Sequence, residues 1–244
     1  MTARVVRLGA VDSTQTAAFA LAADGAPDGT AVVADTQRAG RGRQGRAWED
    51  EPGASLLVSL VVRPALPLAA LPQLSLAAAV AVAEALAEAA GLPARLKWPN
   101  DVLVGGRKIA GILLESRLGS GRPVVVIGIG VNLDQRGFPL SLAGQATSVR
   151  LAGGRPLGRE AALAAVLAAV DGWRARLERE GFAPVRERWR ALADTLGRPV
   201  RVDDVEGTAV DLDADGALLV DTAGGRRRVV AGDVVVDAAD AARA

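Results

Sequence analysis

The stretch TQRAGRGRQGRAW, residues 36–48, is the most informative part of the sequence. It contains three glycines, four arginines and no acidic residue, and it ends at Trp48. Glycine lets a backbone approach a ligand closely, and arginine supplies planar, charged donors that fit phosphate and carboxylate. A tryptophan adds a flat face on which a base can stack. The stretch therefore predicts a clamp for an anionic, nucleotide-like ligand.

Residues 40–45 match the G-x-G-x-x-G pattern of dinucleotide-binding folds. In those folds a helix begins at the third glycine, whereas this chain continues into WEDEPG, residues 48–53. A kinase-type glycine loop is excluded as well, because its catalytic loop needs a histidine and the chain has none. The alternative that stays open is a solvated basic loop without a ligand.

The composition limits the chemistry more than it limits the fold. The chain has 244 residues, half of them hydrophobic, and 29 basic against 28 acidic residues. It has no cysteine and no histidine, which excludes thiolate nucleophiles, Ser-His-Asp triads and metal sites built on either residue. Catalysis must then use lysine, arginine, carboxylates, amides or a hard cation such as Mg²⁺.

Neither a secretory signal nor a membrane span is expected. Arg4, Arg7 and Asp12 interrupt the N-terminal segment before any long apolar run. The most apolar helical stretch, residues 74–83, is followed by Glu84 and is shorter than a bilayer requires. The near-neutral charge gives no general attraction to DNA or membranes. We expect a soluble cytoplasmic protein.

Hydrophobic periodicity predicts alternating strands and helices up to residue 193. The segment Asp12-Ser13-Thr14 is the expected N-cap of the first helix, and Gly91 is the expected C-terminal glycine of the second. The predicted strands lie at 4–8, 30–35, 55–62, 95–98, 102–104, 107–116 and 124–133, and the predicted helices at 15–23, 72–90, 157–180 and 184–193.

The pattern changes after Pro199. Residues 200–236 form short alternating runs separated by DADG (residues 213–216) and TAGG (residues 222–225), and no helix fits them. We therefore predict two domains, residues 1–195 and a small β domain over residues 196–244. The residue pattern alone supports an α/β or α+β protein with a small β appendage.

A second informative stretch is RLKWPNDVLVGGRKIAG, residues 95–111. Lys108 lies among apolar residues, and because a lysine is rarely buried without a partner, it suggests a carboxylate or phosphate partner. The alternative is a lysine that protects an edge strand from aggregation. Gly111 permits close approach to the backbone. Asn100 and Asp101 are turn formers or ligands of a metal or a nucleotide hydroxyl.

The third stretch is VVVIGIGVNLD, residues 124–134. Gly128 and Gly130 weaken a strand that otherwise reads as buried, unless something packs on the bare backbone. Asn132 would then be a hydrogen-bonding group at the rim of that site. A bulged core strand is the alternative.

Together these stretches resemble the biotin protein ligase family, whose members attach biotin to the biotin carboxyl carrier domain of acetyl-CoA and other acyl-CoA carboxylases. The resemblance covers essentially the whole chain. It implies an α+β fold, a mixed β-sheet flanked by helices and related to class II aminoacyl-tRNA synthetases, with a small SH3-like β-barrel at the C-terminus. The matching motifs are DST at 12–14, Gln37, GRGRQGR at 40–46, Trp48, KWPND at 97–101, RKIAG at 107–111 and GIGVN at 128–132.

The resemblance implies two steps. Biotin and Mg-ATP give biotinyl-5′-AMP, and a carrier lysine then takes the biotin while AMP leaves. The implied biotin-binding residues are Ser13, Thr14, Gln37, Gly40, Arg41, Arg43, Lys108 and Gly111. Among them Lys108, Arg43 and Arg41 would stabilise the reacting charges.

On the nucleotide side, the resemblance implies Arg46, Trp48, Asn100 and Asn132, with Trp48 covering the adenine. Asp101 would help to position the metal or the incoming lysine. Gln44 stands where many family members carry another arginine.

Two alternatives to a biotin ligase remain open at this point. A lipoate or octanoate ligase shares the adenylation logic, although Ser13, Thr14 and Gln37 favour the polar biotin ring over an acyl chain. A biotin-sensing DNA-binding regulator would need a helix-turn-helix domain, and the residues before Asp12 are too few to form one. We expect a ligase without repressor activity, as a monomer or a homodimer.

Overall fold

A seven-stranded mixed sheet forms the larger part of the protein. The computed structural model describes residues 4–118 and 122–236. The strands lie side by side in the order β1-β2-β3-β7-β6-β5-β4; β1 and β2 are parallel and every other pair is antiparallel. Their bounds are β1 Val5–Val11, β2 Ala31–Gln37, β3 Ser55–Val62, β4 Arg95–Lys97, β5 Asp101–Val104, β6 Arg107–Arg117 and β7 Val124–Asn132.

Four helices cover the two faces of this sheet unequally. On one face α2 (Gln73–Ala90) packs on the strands, with α3 (Arg159–Glu180) and α4 (Ala183–Leu192) against it. On the other face only the ten-residue α1 (Thr14–Ala23) contacts β2, β3 and β7 among the described helices. β3 lies between these two layers, so all eight of its residues are buried. The predicted mixed sheet flanked by helices is confirmed.

Local signals in the sequence set the ends of these elements. The Ser13 side chain accepts a hydrogen bond from the backbone N–H of Gln15, as expected of an N-cap. Gly91 ends α2 with φ 68°, in the left-handed region. Gly105 and Gly106 both have positive φ, which a two-residue turn between β5 and β6 requires.

Helix α2 is strongly apolar, with 13 of its 18 residues buried. The stretch Leu68–Ala90 is long and apolar enough to cross a membrane by length and composition alone. Within the fold, however, 67% of that apolar window is buried, as in the core helix of a globular protein.

A second, five-stranded antiparallel sheet follows α4, and we call it the C-terminal sheet. Its strand order is β11-β10-β9-β8-β12, and no helix occurs among its described residues, as predicted. Residues 237–244 of the predicted β domain lie outside the described residues. The strands are β8 Pro199–Val202, β9 Val205–Leu212, β10 Leu218–Thr222, β11 Gly225–Val229 and β12 Val235–Val236.

The C-terminal sheet shares one continuous apolar core with the larger sheet. The indole Nε1 of Trp98 donates to the carbonyl of Gly216 at 3.1 Å, and the backbone N–H of Trp98 donates to Thr195 Oγ1 at 2.9 Å. Trp98 belongs to the KWPND motif, so hydrogen bonds to Thr195 and Gly216 fix this motif in place. The division at residues 195 and 196 stays a prediction.

Substituting Gly216 tests this packing. A Cβ there would lie 2.6 Å from Leu76 Cδ1 and 3.3 Å from Phe182 Cζ, and φ is +96°. Gly225 has φ +103° with nothing within 4 Å, so Gly225→Ala isolates the backbone strain. We expect Gly216→Ala to lower the free energy of unfolding by about 1–3 kcal/mol more than Gly225→Ala does, since overpacking adds to the strain. Urea unfolding measures both, and equal losses would contradict the packing.

Candidate active site

The floor of the candidate site is the part of the sheet that α1 leaves without helical cover. On β7, Val126 packs against α1, and Gly128, Gly130 and Asn132 follow on the same face. Gly111 of β6 lies directly opposite Gly130. Because neither glycine has a side chain, the backbones of two adjacent strands are open to close contact at this point.

The ring of Trp48 occupies the space above these two glycines. A Cβ on Gly130 would lie 2.6 Å from two ring carbons of Trp48, and a Cβ on Gly111 would lie 3.0 Å from a third. β7 keeps an unshifted register with both β3 and β6, so the alternative of a bulged core strand is wrong. The missing side chains instead make room for the indole.

A buried polar network borders the floor on the α1 side. Gln37 Oε1 accepts hydrogen bonds from the backbone N–H of Thr14 at 2.8 Å and from its hydroxyl at 2.9 Å. Ser59 Oγ donates to Thr14 Oγ1 at 2.9 Å and lies 3.1 Å from Gln15 Oε1. Gln15 fits only because Gly128 is bare, since a Cβ there would lie 2.6 Å from Gln15 Oε1.

Lys108 lies on the opposite side of the floor. Its Nζ pairs with Asp101 Oδ1 at 2.6 Å and stands 5.7 Å from the centre of the Trp48 ring. β6 lies between β5 and β7, so the alternative of an edge-strand lysine is wrong. The carboxylate partner that the sequence suggested for Lys108 is Asp101.

A bulge in the β5–β6 pair directs Lys108. The register shifts between Val102 and Leu103, which re-aims the side chains beside it. The backbone N–H of Lys108 donates to Gln145 O at 2.8 Å, and its carbonyl accepts from the N–H of Thr147 at 2.8 Å. The lysine is therefore held by the segment after β7 as well as by its own strand.

The arginines of residues 40–46, which we call the arginine loop, have partners in the protein. Arg41 pairs with Glu115 at 3.1 Å. Arg43 Nη1 donates to Asn100 Oδ1 at 3.2 Å, and both Arg43 and Arg46 pair with Asp233. These contacts argue against a merely solvated loop. Between the loop and β6 lies a cleft of about 650 Å³, lined by residues 39–47, Leu113 and Glu115.

Asn132 closes the floor at its far end. It is 4% exposed, and its Nδ2 donates to Thr147 O at 3.0 Å. Gln135 donates to both Asn132 Oδ1 and Ser55 Oγ. Three buried polar atoms around the floor have no hydrogen-bond partner among the described residues, which favours a ligand or water there: Trp48 Nε1, Gln135 Oε1 and Thr147 Oγ1.

The structure brings the residues predicted from the sequence around one floor and one cleft. Gly40 lies at the loop entrance, where a Cβ would come 2.8 Å from the carbonyl of Trp48. The sequence reasoning missed a second set of residues that hold the predicted ones: Gln15, Ser59, Glu115, Gln135, Thr147 and Asp233.

For Gln15 the signal in the sequence is its position directly after the predicted helix cap at residues 12–14. The structure adds that its side chain is buried. Asp233 carried no such signal, since it lies 190 residues from Arg43 in the chain. The particular ligand contacts of the predicted residues stay predictions.

Comparison with known protein families agrees with this geometry. Residues 8–132, slightly more than half of the chain, match the biotin/lipoate A/B protein ligase family. Residues 195–237 match the biotin protein ligase C terminal domain.

Individual relatives agree over most of their length. A biotin--[acetyl-CoA-carboxylase] ligase of Paracoccus denitrificans is 40% identical over 237 residues, which is 93% of this chain and 98% of the relative. The bifunctional ligase/repressor BirA of Bacillus subtilis is 38% identical over 92% of this chain and 71% of its own length.

Solved structures show the same fold. The biotin protein ligase from Aquifex aeolicus in complex with biotin and ATP superposes with a TM-score of 0.84 at 31% identity, covering 96% of this chain and 98% of the other. With both the fold and the relatives in agreement, the chain belongs to the biotin/lipoate A/B protein ligase family and is a ligase enzyme.

Proposed function

We propose that this enzyme attaches biotin, at the expense of ATP and through biotinyl-5′-AMP, to a lysine of a biotin carboxyl carrier domain. The observation that carries the proposal is that Lys108 lies beside the bare-glycine floor while Arg41 and Arg43 line the adjacent cleft, in a chain with neither cysteine nor histidine. Such a site binds and stabilises anions without a covalent enzyme intermediate.

In the first step the biotin carboxylate attacks the α-phosphorus of ATP and pyrophosphate leaves. Negative charge accumulates on the phosphate oxygens, and a cation fixed beside the floor stabilises it. Lys108 meets this requirement because Asp101 and the Gln145–Thr147 segment hold it in place. We assign Arg41 and Arg43, which line the cleft beside β6, to binding the biotin carboxylate and the α-phosphate.

In the second step the carrier lysine attacks the acyl carbon, forming an amide, and AMP leaves. The carrier amine attacks in its neutral form, so its ammonium first releases a proton to solvent, and the second proton leaves to solvent as the amide forms. We assign Asp101, the carboxylate paired with Lys108, to orienting the incoming amine. The adenylate must stay protected from water until then. We assign that role to the arginine loop and Trp48, which cover the floor.

The remaining site residues divide between the biotin half and the nucleotide half of the ligand. We assign Ser13, Thr14, Gln37, Gly40 and Gly111 to biotin, since the ureido ring needs several hydrogen bonds. Ser13 and Thr14 already serve the cap and the buried network, so they present fixed groups. Arg46, Trp48, Asn100 and Asn132 are assigned to the nucleotide.

Magnesium is proposed to arrive with ATP. The described residues contain no group of three or more carboxylates able to hold a metal, and Mg²⁺ commonly binds through substrate phosphates with one or two carboxylates. Asp101 is the carboxylate assigned to support it.

A biotin substrate is favoured over lipoate or octanoate. The Thr14–Gln37–Ser59 network is polar, with Thr14 and Ser59 buried and Gln37 partly buried, whereas an acyl chain needs an apolar tunnel. The match of residues 195–237 to a biotin protein ligase domain points the same way. We further propose an acetyl-CoA or other acyl-CoA carboxylase carrier as the partner, cytoplasmic action as a monomer or homodimer, and no DNA binding, given the net charge of +1.

Incubating a purified carrier domain with the protein, ATP, Mg²⁺ and biotin tests the proposal. We expect an ATP-dependent mass gain of one biotin on the carrier lysine. A mass gain with lipoate alone would show a lipoate ligase of the same family. In a separate mobility-shift experiment, retardation of a biotin-operator DNA probe would show a regulatory role.

Lys108→Ala should slow the formation of biotinyl-5′-AMP by about 10²–10³-fold, the usual effect of removing one fixed donor from a dry site. Pyrophosphate release in single turnovers measures it. Arg107→Ala on the same strand is the control and should keep its rate, because no ion pair of Arg107 occurs among the described residues. An unchanged rate in Lys108→Ala would remove this lysine from the chemistry.

Arg43→Ala should let biotinyl-5′-AMP escape. The arginine closes the cleft from above, so its loss should raise free adenylate in solution at least about tenfold, in line with a lost charge-assisted hydrogen bond. Chromatography of the filtrate measures this. Arg38→Ala, which removes an exposed arginine 3.8 Å from Asp12, is the control. Retention of the adenylate as in the wild type would refute the clamp.

Gly130→Ala should weaken biotin binding by at least about tenfold, because the new methyl group stands where ligand and indole must approach the floor. Gly9→Ala, with nothing within 4 Å, is the matched control. Titration calorimetry measures both variants. Wild-type affinity in Gly130→Ala would show that the bare floor is not needed.

A further inference from the structure

The segment that leads into β12 brings a carboxylate of the C-terminal sheet to the arginine loop. Asp233 Oδ1 lies 3.5 Å from Arg43 Nη1, and its Oδ2 accepts a hydrogen bond from Arg46 Nη2. Arg43 is the first residue of the single helical turn Arg43–Gly45, and Arg46 follows its last residue. One carboxylate thus bridges both ends of that turn.

Asp233 is carried on a fixed piece of backbone. On one side, Gly232 passes so close to β8 that a Cβ would lie 2.5 Å from Val202 Cγ1. On the other side, Val234 is 2% exposed and belongs to the main core, and Val235 pairs with Arg201. The carboxylate is therefore presented by the folded C-terminal sheet and not by a free tail.

The contact uses one nitrogen of the Arg43 guanidinium, Nη1, and leaves its other nitrogens available to a ligand. Nη1 is shared between Asn100 Oδ1, at 3.2 Å, and Asp233. Within residues 4–118 and 122–236, the side-chain hydrogen bonds of Arg43 all come from Nη1, and neither Nη2 nor Nε makes one. Because guanidinium donors lie in one plane, fixing Nη1 aims the remaining donors.

We propose that Asp233 is a positioning residue of the ligase reaction: it holds Arg43 and Arg46 so that the arginine loop retains the adenylate. The proposal rests on the proposed function above. Through this contact the C-terminal sheet takes part in holding the intermediate.

A role for Asp233 as a competitor of the nucleotide phosphates is disfavoured by the same geometry. A competitor would occupy all the donors that the ligand needs. Asp233 takes Arg43 Nη1, which Asn100 already uses, and Arg46 Nη2, and among the described residues Arg43 Nη2 and Arg46 Nη1 make no hydrogen bond. Its closer contact is with Arg46, whose side chain is 62% exposed. Asp233 therefore holds the two arginines of the loop in place.

Asp233→Asn keeps the size of the side chain and removes its charge. We expect biotinyl-5′-AMP, formed on the enzyme, to dissociate about tenfold faster, because a charge-assisted hydrogen bond is roughly twice as strong as a neutral one. The KM for ATP should rise and the KM for biotin should stay unchanged. Rapid mixing with excess unlabelled ligand measures the dissociation of labelled adenylate.

Asp221→Asn is the matched control in the same sheet. Asp221 also pairs with an arginine, and the hydrogen bond from Arg226 lowers the pKa of its carboxyl group, yet it is not among the residues of the site. Adenylate dissociation in this variant should equal the wild-type rate. Asp233→Glu, which restores the charge, should recover part of the retention, and all three variants should unfold at the wild-type temperature.

Wild-type or slower dissociation in Asp233→Asn would overturn the proposal, as would an equal change in Asp221→Asn. A wild-type enzyme that forms no biotinyl-5′-AMP would instead contradict the proposed function, so the two failures are distinguishable. If Asp233→Asn does not fold, Asp233→Ser, which also removes the charge, replaces it, and wild-type dissociation of the adenylate from that variant would overturn the proposal.

Discussion

The contact of the Trp48 indole with the bare backbone of Gly111 and Gly130 is the constraint on which the site depends. It requires glycine on two adjacent strands at one paired position. It also requires that this part of the sheet have no helix above it, which the short α1 provides. The loop that carries Trp48 then becomes the roof, and its glycines let it come close enough.

A floor of bare backbone has no side chains with which to bind a ligand, so the binding groups must come from its edges. The Thr14–Gln37–Ser59 network supplies neutral, fixed hydrogen-bonding groups on one edge. Lys108 with Asp101 supplies charge on the opposite edge, and the arginine loop supplies charge from above. This separation places a neutral ring and an anionic reacting group in different surroundings, which suits a substrate that has both.

The sequence predicts this arrangement to the extent that its causes are local. The N-cap at residues 12–14 and the C-terminal glycine Gly91 bound their helices as expected, because helix caps depend on neighbouring residues. The glycine pair was recognised as an approach site, but its occupant was not, since Trp48 reaches it from another part of the chain. Asp233 was missed for the same reason: nothing in its own neighbourhood marks a residue whose partners lie in the arginine loop.

The C-terminal sheet does more than end the chain, because three of its contacts lead into the site. Its core is continuous with the larger sheet, Gly216 accepts from Trp98 of the KWPND motif, and Asp233 meets the arginine loop. A ligand that binds Arg43 and Arg46 in their Asp233-paired arrangement would also stabilise this contact with the C-terminal sheet, since binding stabilises the arrangement that it selects.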